Sequence, residues 1–228
     1  MLVAAEAREF DGLLRFCTNV GKTGWGLDWA RSAVCRERQF WMIAHGAGWA
    51  RAAEAVKVAI PGCEPDVIVS MGFCGALDDA LSIGEVFVAT AIQGAGRRFP
   101  VCQPRSHAPY ASGVLASIDH VAGSAVEKRI LREDGASAVE MEAAGVAARA
   151  AEHDIPLFCV RSVTDLAGQT FVTDFNGALR SDGHFATIRI LSSAFGNPGQ
   201  AFPELIRLRG YCRTATRSLG EFIAGCRF

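Results

Sequence analysis

Two acidic strand ends carry the side chains best suited to chemistry in this 228-residue chain. Ala136-Ser-Ala-Val139 runs into Glu140-Met141-Glu142, and Pro156-Leu-Phe-Cys-Val160 runs through Arg161-Ser-Val to Thr164-Asp165. An apolar run that ends in acid is how a buried strand delivers a carboxylate to the rim of a sheet. Glu142 and Asp165 are therefore expected at two ends of one pocket. Carboxylates brought together in a half-buried pocket have their pKa values pushed apart, so that one stays protonated near neutrality and serves as an acid. The competing reading is structural, with Glu142 a helix N-terminal carboxylate favoured by the macrodipole and Asp165 a loop cap.

A third strand end adds a main-chain feature. Asp66-Val-Ile-Val-Ser-Met71 leads into Gly72-Phe-Cys-Gly-Ala76, where the glycines let backbone N–H groups face a ligand. In a parallel sheet three such ends share one edge, the edge at which ligands bind. Other motifs fail. Gly21-Lys-Thr23 has Phe16 where a phosphate-binding loop needs glycine, and Gly46-Ala-Gly48 has Arg51 where a dinucleotide fingerprint needs its third. Arg97, Arg98 and Arg105 fall in a stretch from Gly94 to Ser112 rich in Gly, Pro and Arg, read as a loop that is either functional or merely solvated.

Elements that position these residues follow from periodicity. Strands are expected over 1–5, 40–44, 66–71, 85–90, 113–118, 136–139 and from 156. Helices are expected over 6–16, from Gly46-Ala-Gly48 to about Ile60, over 124–133 as a charged surface helix, and over 143–153. Glu6 and Glu9 then lie at a strand-to-helix junction. Residues 166–183 are polar and Gly-rich, a lid over the pocket. From Glu204, Leu205, Leu208, Cys212, Ala215, Leu219 and Phe222 form one apolar face, with Arg207, Arg209, Arg213 and Arg217 largely off it. That is a terminal helix docked on the sheet, a partner-binding or membrane-touching face being the lesser reading. Alternating strands and helices predict a single α/β domain over 1–228, a central mixed but largely parallel sheet flanked by helices.

Whole-chain properties narrow the class. With 50% hydrophobic and 21% charged residues the chain is globular rather than disordered. A formal net charge of −1 offers no excess that points to nucleic acid or a membrane surface. The eight cysteines are far apart, with no CxxC pair and no Cys/His ligand spacing, which predicts free thiols, no metal and a cytoplasmic location. The amino terminus meets acid at Glu6 and reads as no signal peptide, and no apolar run approaches the roughly 18 residues a membrane span needs.

Val139-Glu-Met-Glu142 and Arg161-Ser-Val-Thr-Asp165 resemble the strand ends of the nucleoside phosphorylase and methylthioadenosine/S-adenosylhomocysteine nucleosidase superfamily. Gly72-x-Cys-Gly-Ala76, Gly84-Glu-Val and Gly46-x-Gly48 reinforce the likeness. The carboxyl-terminal tail and Ile118-Asp-His-Val121 are most similar to a hopanoid-associated phosphorylase subgroup. The resemblance implies cleavage of the N-glycosidic bond of a purine nucleoside, without a cofactor, by a homodimer or larger assembly. It implies Asp165 at purine N7 with Thr164 keeping a hydroxyl beside it, Glu142 on the ribose hydroxyls and Met141 against the sugar. It makes Glu9, ahead of Glu6, the base that activates water. Gly72, Phe73, Val121, Ala122 and Phe175 are the remaining substrate-binding candidates, Val121 standing where the nucleosidases stack an aromatic on the base and Phe175 toward the 5′ side.

Departures choose the attacking group. Bacterial phosphorylases place an arginine and a serine at the glycine turn to hold phosphate, whereas this chain has Ser70 and Phe73 there. A dianion without such partners is held weakly, so water is favoured. A phosphate-dependent phosphorylase, with Arg97, Arg98 or Arg105 substituting and phosphate as co-substrate, is the alternative, including one acting on a 5′-substituted, hopanoid-linked adenosine. A catalytically silent nucleoside-binding domain is the lesser one.

Overall fold

The computed structural model describes all 228 residues, Met1–Phe228. A first strand, β1 (Leu2–Ala4), leads into a 3₁₀ turn (Ala7–Phe10) and one turn of helix, α1 (Asp11–Leu14). The expected helix over 6–16 is thus shorter and tighter, because Glu9 and Phe10 are pulled into the interior. Next come β2 (Cys17–Lys22), β3 (Trp29–Cys35), β4 (Arg38–Ala44), α2 (Trp49–Cys63) and β5 (Ile68–Ala76). The middle of the chain forms β6 (Val86–Gly94), β7 (Arg97–Pro100), β8 (Ala111–Ser117), α3 (Ala125–Glu133), β9 (Ala138–Glu140) and α4 (Ala143–Glu152). It ends with β10 (Leu157–Asp165), α5 (Phe175–Ala178), α6 (Thr187–Gly196) and α7 (Pro198–Gly225).

The ten strands form one mixed sheet in the order β10-β6-β8-β9-β5-β1-β4-β3-β2, with β7 on β6. A further pairing of β10 with β5 closes five of them, β5, β10, β6, β8 and β9, into a ring. Five pairings are parallel and five antiparallel. Ring closure is why β10 is buried along its whole length, its polar residues Arg161, Ser162, Thr164 and Asp165 included.

Two apolar layers cover the sheet. Ala52, Ala55, Val56 and Ala59 of α2 and Ala143, Val146, Ala147 and Ala150 of α4 pack on one side. Leu13 of α1 and Leu219, Phe222 and Ile223 of α7 pack on the other. Small residues set the helix spacing: a Cβ at Gly145 would lie 1.9 Å from the carbonyl oxygen of Trp49, so only glycine lets α4 cross α2 this closely.

Candidate active site

A cavity of about 1690 Å³ opens over the ring, larger than the roughly 300–1,000 Å³ of ordinary small-molecule pockets. Its lining includes Glu9, Phe73, Val121, Ala122, Met141, Glu142, Thr164, Asp165 and Phe175. Gly72 lies just behind it. A Cβ there would stand 2.8 Å from Glu9 Oε1, so the glycine is what admits the Glu9 carboxylate.

Asp165 reaches the cavity through a β-bulge. The register of β10 against β5 shifts between Val163 and Asp165, leaving Thr164 as the extra residue. A bulge re-aims side chains that would otherwise alternate between faces, and both Thr164 and Asp165 line the cavity. The Thr164 hydroxyl lies 3.2 Å from Asp165 Oδ1 and 3.3 Å from the Cys74 carbonyl oxygen. Gly75 makes room beneath, since a Cβ there would stand 2.6 Å from Asp165 Oδ2.

Lys128 overturns the reading of α3 as a purely charged surface helix. Its side chain is 1% exposed and runs inward to form a salt bridge with Asp165, while its ammonium also donates to the Leu166 carbonyl at 2.8 Å. Nothing in the helical rhythm of 124–133 marks it, because a lysine is ordinarily solvated.

Glu142 and Asp165 meet in the cavity by a different route from the one expected. β9 runs antiparallel to β5, with Gly75 opposite Val139 and Ala76 opposite Ala138. Their ends do not share a parallel edge; β9 brings Glu142 toward β10 from the opposite direction. At the head of α4 the capping carboxylate is Glu140, which accepts N–H bonds from Glu142 at 3.0 Å and Ala143 at 2.9 Å and pairs with Arg161 at 2.6 Å. Arg161 also donates to Ser70 Oγ at 2.8 Å. Ser70 is therefore spent on a buried network. Glu142, relieved of capping, turns into the cavity and accepts the Gly48 N–H at 2.9 Å. Burial first, and then the Glu140 charge, push its carboxyl up to about 8.

Glu9 accepts the N–H groups of Glu6 at 2.8 Å and Phe73 at 3.0 Å. Burial raises it to about 7, partly offset by the Glu6 N–H. Glu6 points to Arg8, 2.5 Å away.

Val121 presents its main chain rather than a ring. Its N–H and carbonyl are both engaged by the Asn176 carboxamide, at 2.8 and 2.9 Å, which ties α5 to the cavity edge. Phe175 belongs to an aromatic cluster, its ring centroid 5.1 Å from Phe171 and 6.4 Å from Phe185. Arg97, Arg98 and Arg105 stand outside the cavity lining, in β7 and at a bridge between Arg105 and Arg227. No three His, Cys, Asp or Glu side chains stand close enough to share a metal ion.

The family model of the phosphorylase superfamily matches residues 33–111 and 101–187, more than half of the chain. The chain belongs to the phosphorylase superfamily. Among relatives in that superfamily, a 5′-methylthioadenosine/S-adenosylhomocysteine nucleosidase of Staphylococcus aureus is 26% identical over 165 residues, covering 60% of this chain and 72% of the relative. The nucleosidase of the same name from Neisseria meningitidis, solved with methylthio-immucillin-A, superimposes with a TM-score of 0.74 at 18% identity, covering 98% of this chain and 96% of that one. Futalosine hydrolase of Helicobacter pylori gives 0.74 at 16% identity, covering 98% and 94%. The superfamily fold therefore extends over nearly the whole chain, including α6 and the start of α7 ahead of Glu204, which sequence periodicity left unread.

Proposed function

We propose that this protein hydrolyses the N-glycosidic bond of a purine nucleoside, as the nucleosidases it is similar to are named for doing. The observation that carries this reading is the Phe73 N–H held at 3.0 Å by Glu9 Oε1. The stretch Gly72–Ala76, read from sequence as a turn, is the second half of β5, and where a phosphate would need donors there a glutamate already occupies the Phe73 main-chain N–H. A phosphate dianion entering there meets a second negative charge, whereas a water molecule meets a base. Glu9, raised to about 7, is poised to take the water proton near neutral pH.

In this reading the water oxygen bonds to C1′ of the ribose and the bond electrons leave with the purine. Asp165 faces N7, where a proton must arrive as the bond breaks; general acid catalysis of this kind is worth about 10²- to 10⁴-fold. The Lys128 ammonium against the same carboxyl group is the source of that proton, which passes through Asp165 to N7 and leaves a neutral amine behind. Glu142 holds the ribose hydroxyls and Met141 packs on the sugar. Phe171, Phe175, Phe185, Ile190, Leu205 and Leu208 give the cavity an apolar wall, which supports a bulky apolar 5′ substituent. The eight free cysteines support a cytoplasmic setting. We take 1–228 as one catalytic unit within a homo-oligomer.

Chromatographic assay of base release, with and without phosphate, tests this using adenosine and 5′-alkylthio-adenosines. Release without phosphate, faster for the apolar 5′ groups, is expected, with turnover lost by at least about 10²-fold in Asp165→Asn and Glu142→Ala. An absolute need for phosphate would instead identify a phosphorylase, and intact nucleoside a binding domain.

A further inference from the structure

The last third of the chain carries an apolar surface that the rest of the protein leaves open. In α6, Ile188, Leu191 and Phe195 recur at spacings of three and four and share a face; they are 83%, 42% and 71% exposed. The stripe crosses to α7 where Phe195 meets Phe202 edge-on, ring centroids 5.6 Å apart, and continues on Ile206, which is 72% exposed. Arg209 and Arg213 follow at helical spacing on α7; both are exposed and, like Leu191, also line the cavity, so the stripe runs to the cavity's edge.

Charge around this stripe is one-sided. From Phe185 to Gly220 the chain has five arginines, all exposed, and a single carboxylate, Glu204. Glu204 is 2% exposed and accepts the backbone N–H groups of Val172 and Thr173, both at 2.9 Å. Of the arginines, Arg217 is ion-paired to its neighbour Glu221. Apolar side chains beside unneutralised arginines match an interface with apolar depth and anionic headgroups. A second copy of this chain matches poorly, because a two-fold contact sets the same patch against itself and brings arginines together with no carboxylate between them.

We infer that the α6–α7 surface docks the protein onto an anionic lipid bilayer, with Ile188, Phe195 and Ile206 in the headgroup-acyl boundary and the arginines among the phosphates. The inference goes beyond the proposed hydrolysis and stands without it. The same two helices wall the cavity through Ile190, Leu205 and Leu208.

Co-sedimentation with vesicles tests it, using phosphatidylcholine alone and phosphatidylcholine mixed with phosphatidylglycerol. The protein should sediment with the mixed vesicles, stay in solution with the neutral ones, and be released by 1 M salt, where the screening length contracts to about 3 Å. The triple variant Ile188→Ser/Phe195→Ser/Ile206→Ser should bind at least about tenfold more weakly, with an unchanged melting temperature and unchanged turnover of any soluble nucleoside the wild type cleaves. No sedimentation with phosphatidylglycerol, or equal sedimentation of the triple variant, would overturn the proposal. So would light scattering that shows a wild-type oligomer falling apart in the triple variant, since the face would then belong to another copy. Vesicle binding is read without turnover, so a failed base-release assay leaves this test intact.

Discussion

Glu142 keeps its carboxyl in a pocket where the Gly48 N–H is its main donor, and its pKa is raised from 4.5 to about 8. Between those values the folded protein holds a proton that the unfolded chain has released. Stability from this group is therefore fully present below about pH 4.5 and is lost as pH rises through about 8. Glu142→Gln has no proton to lose. Urea unfolding should find it equal to wild type near pH 4.5 and more stable by roughly 2–4 kcal/mol at pH 8.5, while inactive at both. Lys128 shows the opposite case, a buried cation with a partner. Lys128→Met leaves the Asp165 carboxylate without its counter-ion and the Leu166 carbonyl without a donor. Removing one member of a buried pair costs about 3–5 kcal/mol, so the urea midpoint should fall markedly. A shift of only a few tenths of a kcal/mol would mean that the ammonium is solvated.

At the scale of elements, the site depends on helices that can approach closely. Gly145 places α4 against the first turn of α2, and Gly48, just before α2, supplies the N–H that meets Glu142. Gly145→Ala improves helix propensity yet drives a methyl into the Trp49 carbonyl. Overpacking of this kind costs about 1–3 kcal/mol, and calorimetry should show a lower melting temperature with reduced base release. Strongly periodic elements such as α4, β5 and β10 were legible from their apolar rhythm, and so were the acidic ends of β9 and β10. The polar, edge-exposed β2 and the largely exposed α6 were not, because half-solvated segments carry little burial signal. The bulge at Thr164 and the 3₁₀ turn that seats Glu9 were likewise invisible: each depends on a partner strand rather than on local spacing.

Across the whole molecule, a net charge of −1 conceals a segregated surface, with unneutralised arginines gathered on α6 and α7. A sum over the chain cannot report such an arrangement. Ring closure is equally invisible to such a sum, since β10 pairs parallel with β5 and antiparallel with β6. From residue order alone came the alternation of strand and helix, the superfamily motifs and the candidates Glu142 and Asp165, because these rest on chemistry carried by neighbouring residues; Glu9 came only through the resemblance those motifs carry. Tertiary structure alone decided that Glu140 caps α4 and leaves Glu142 for the cavity, that Lys128 stands behind Asp165, and that Asn176 closes on Val121. Those pairings join residues from 37 to 55 positions apart, or set two nearby carboxylates in different partners' reach, and only the folded backbone brings such groups within hydrogen-bonding distance.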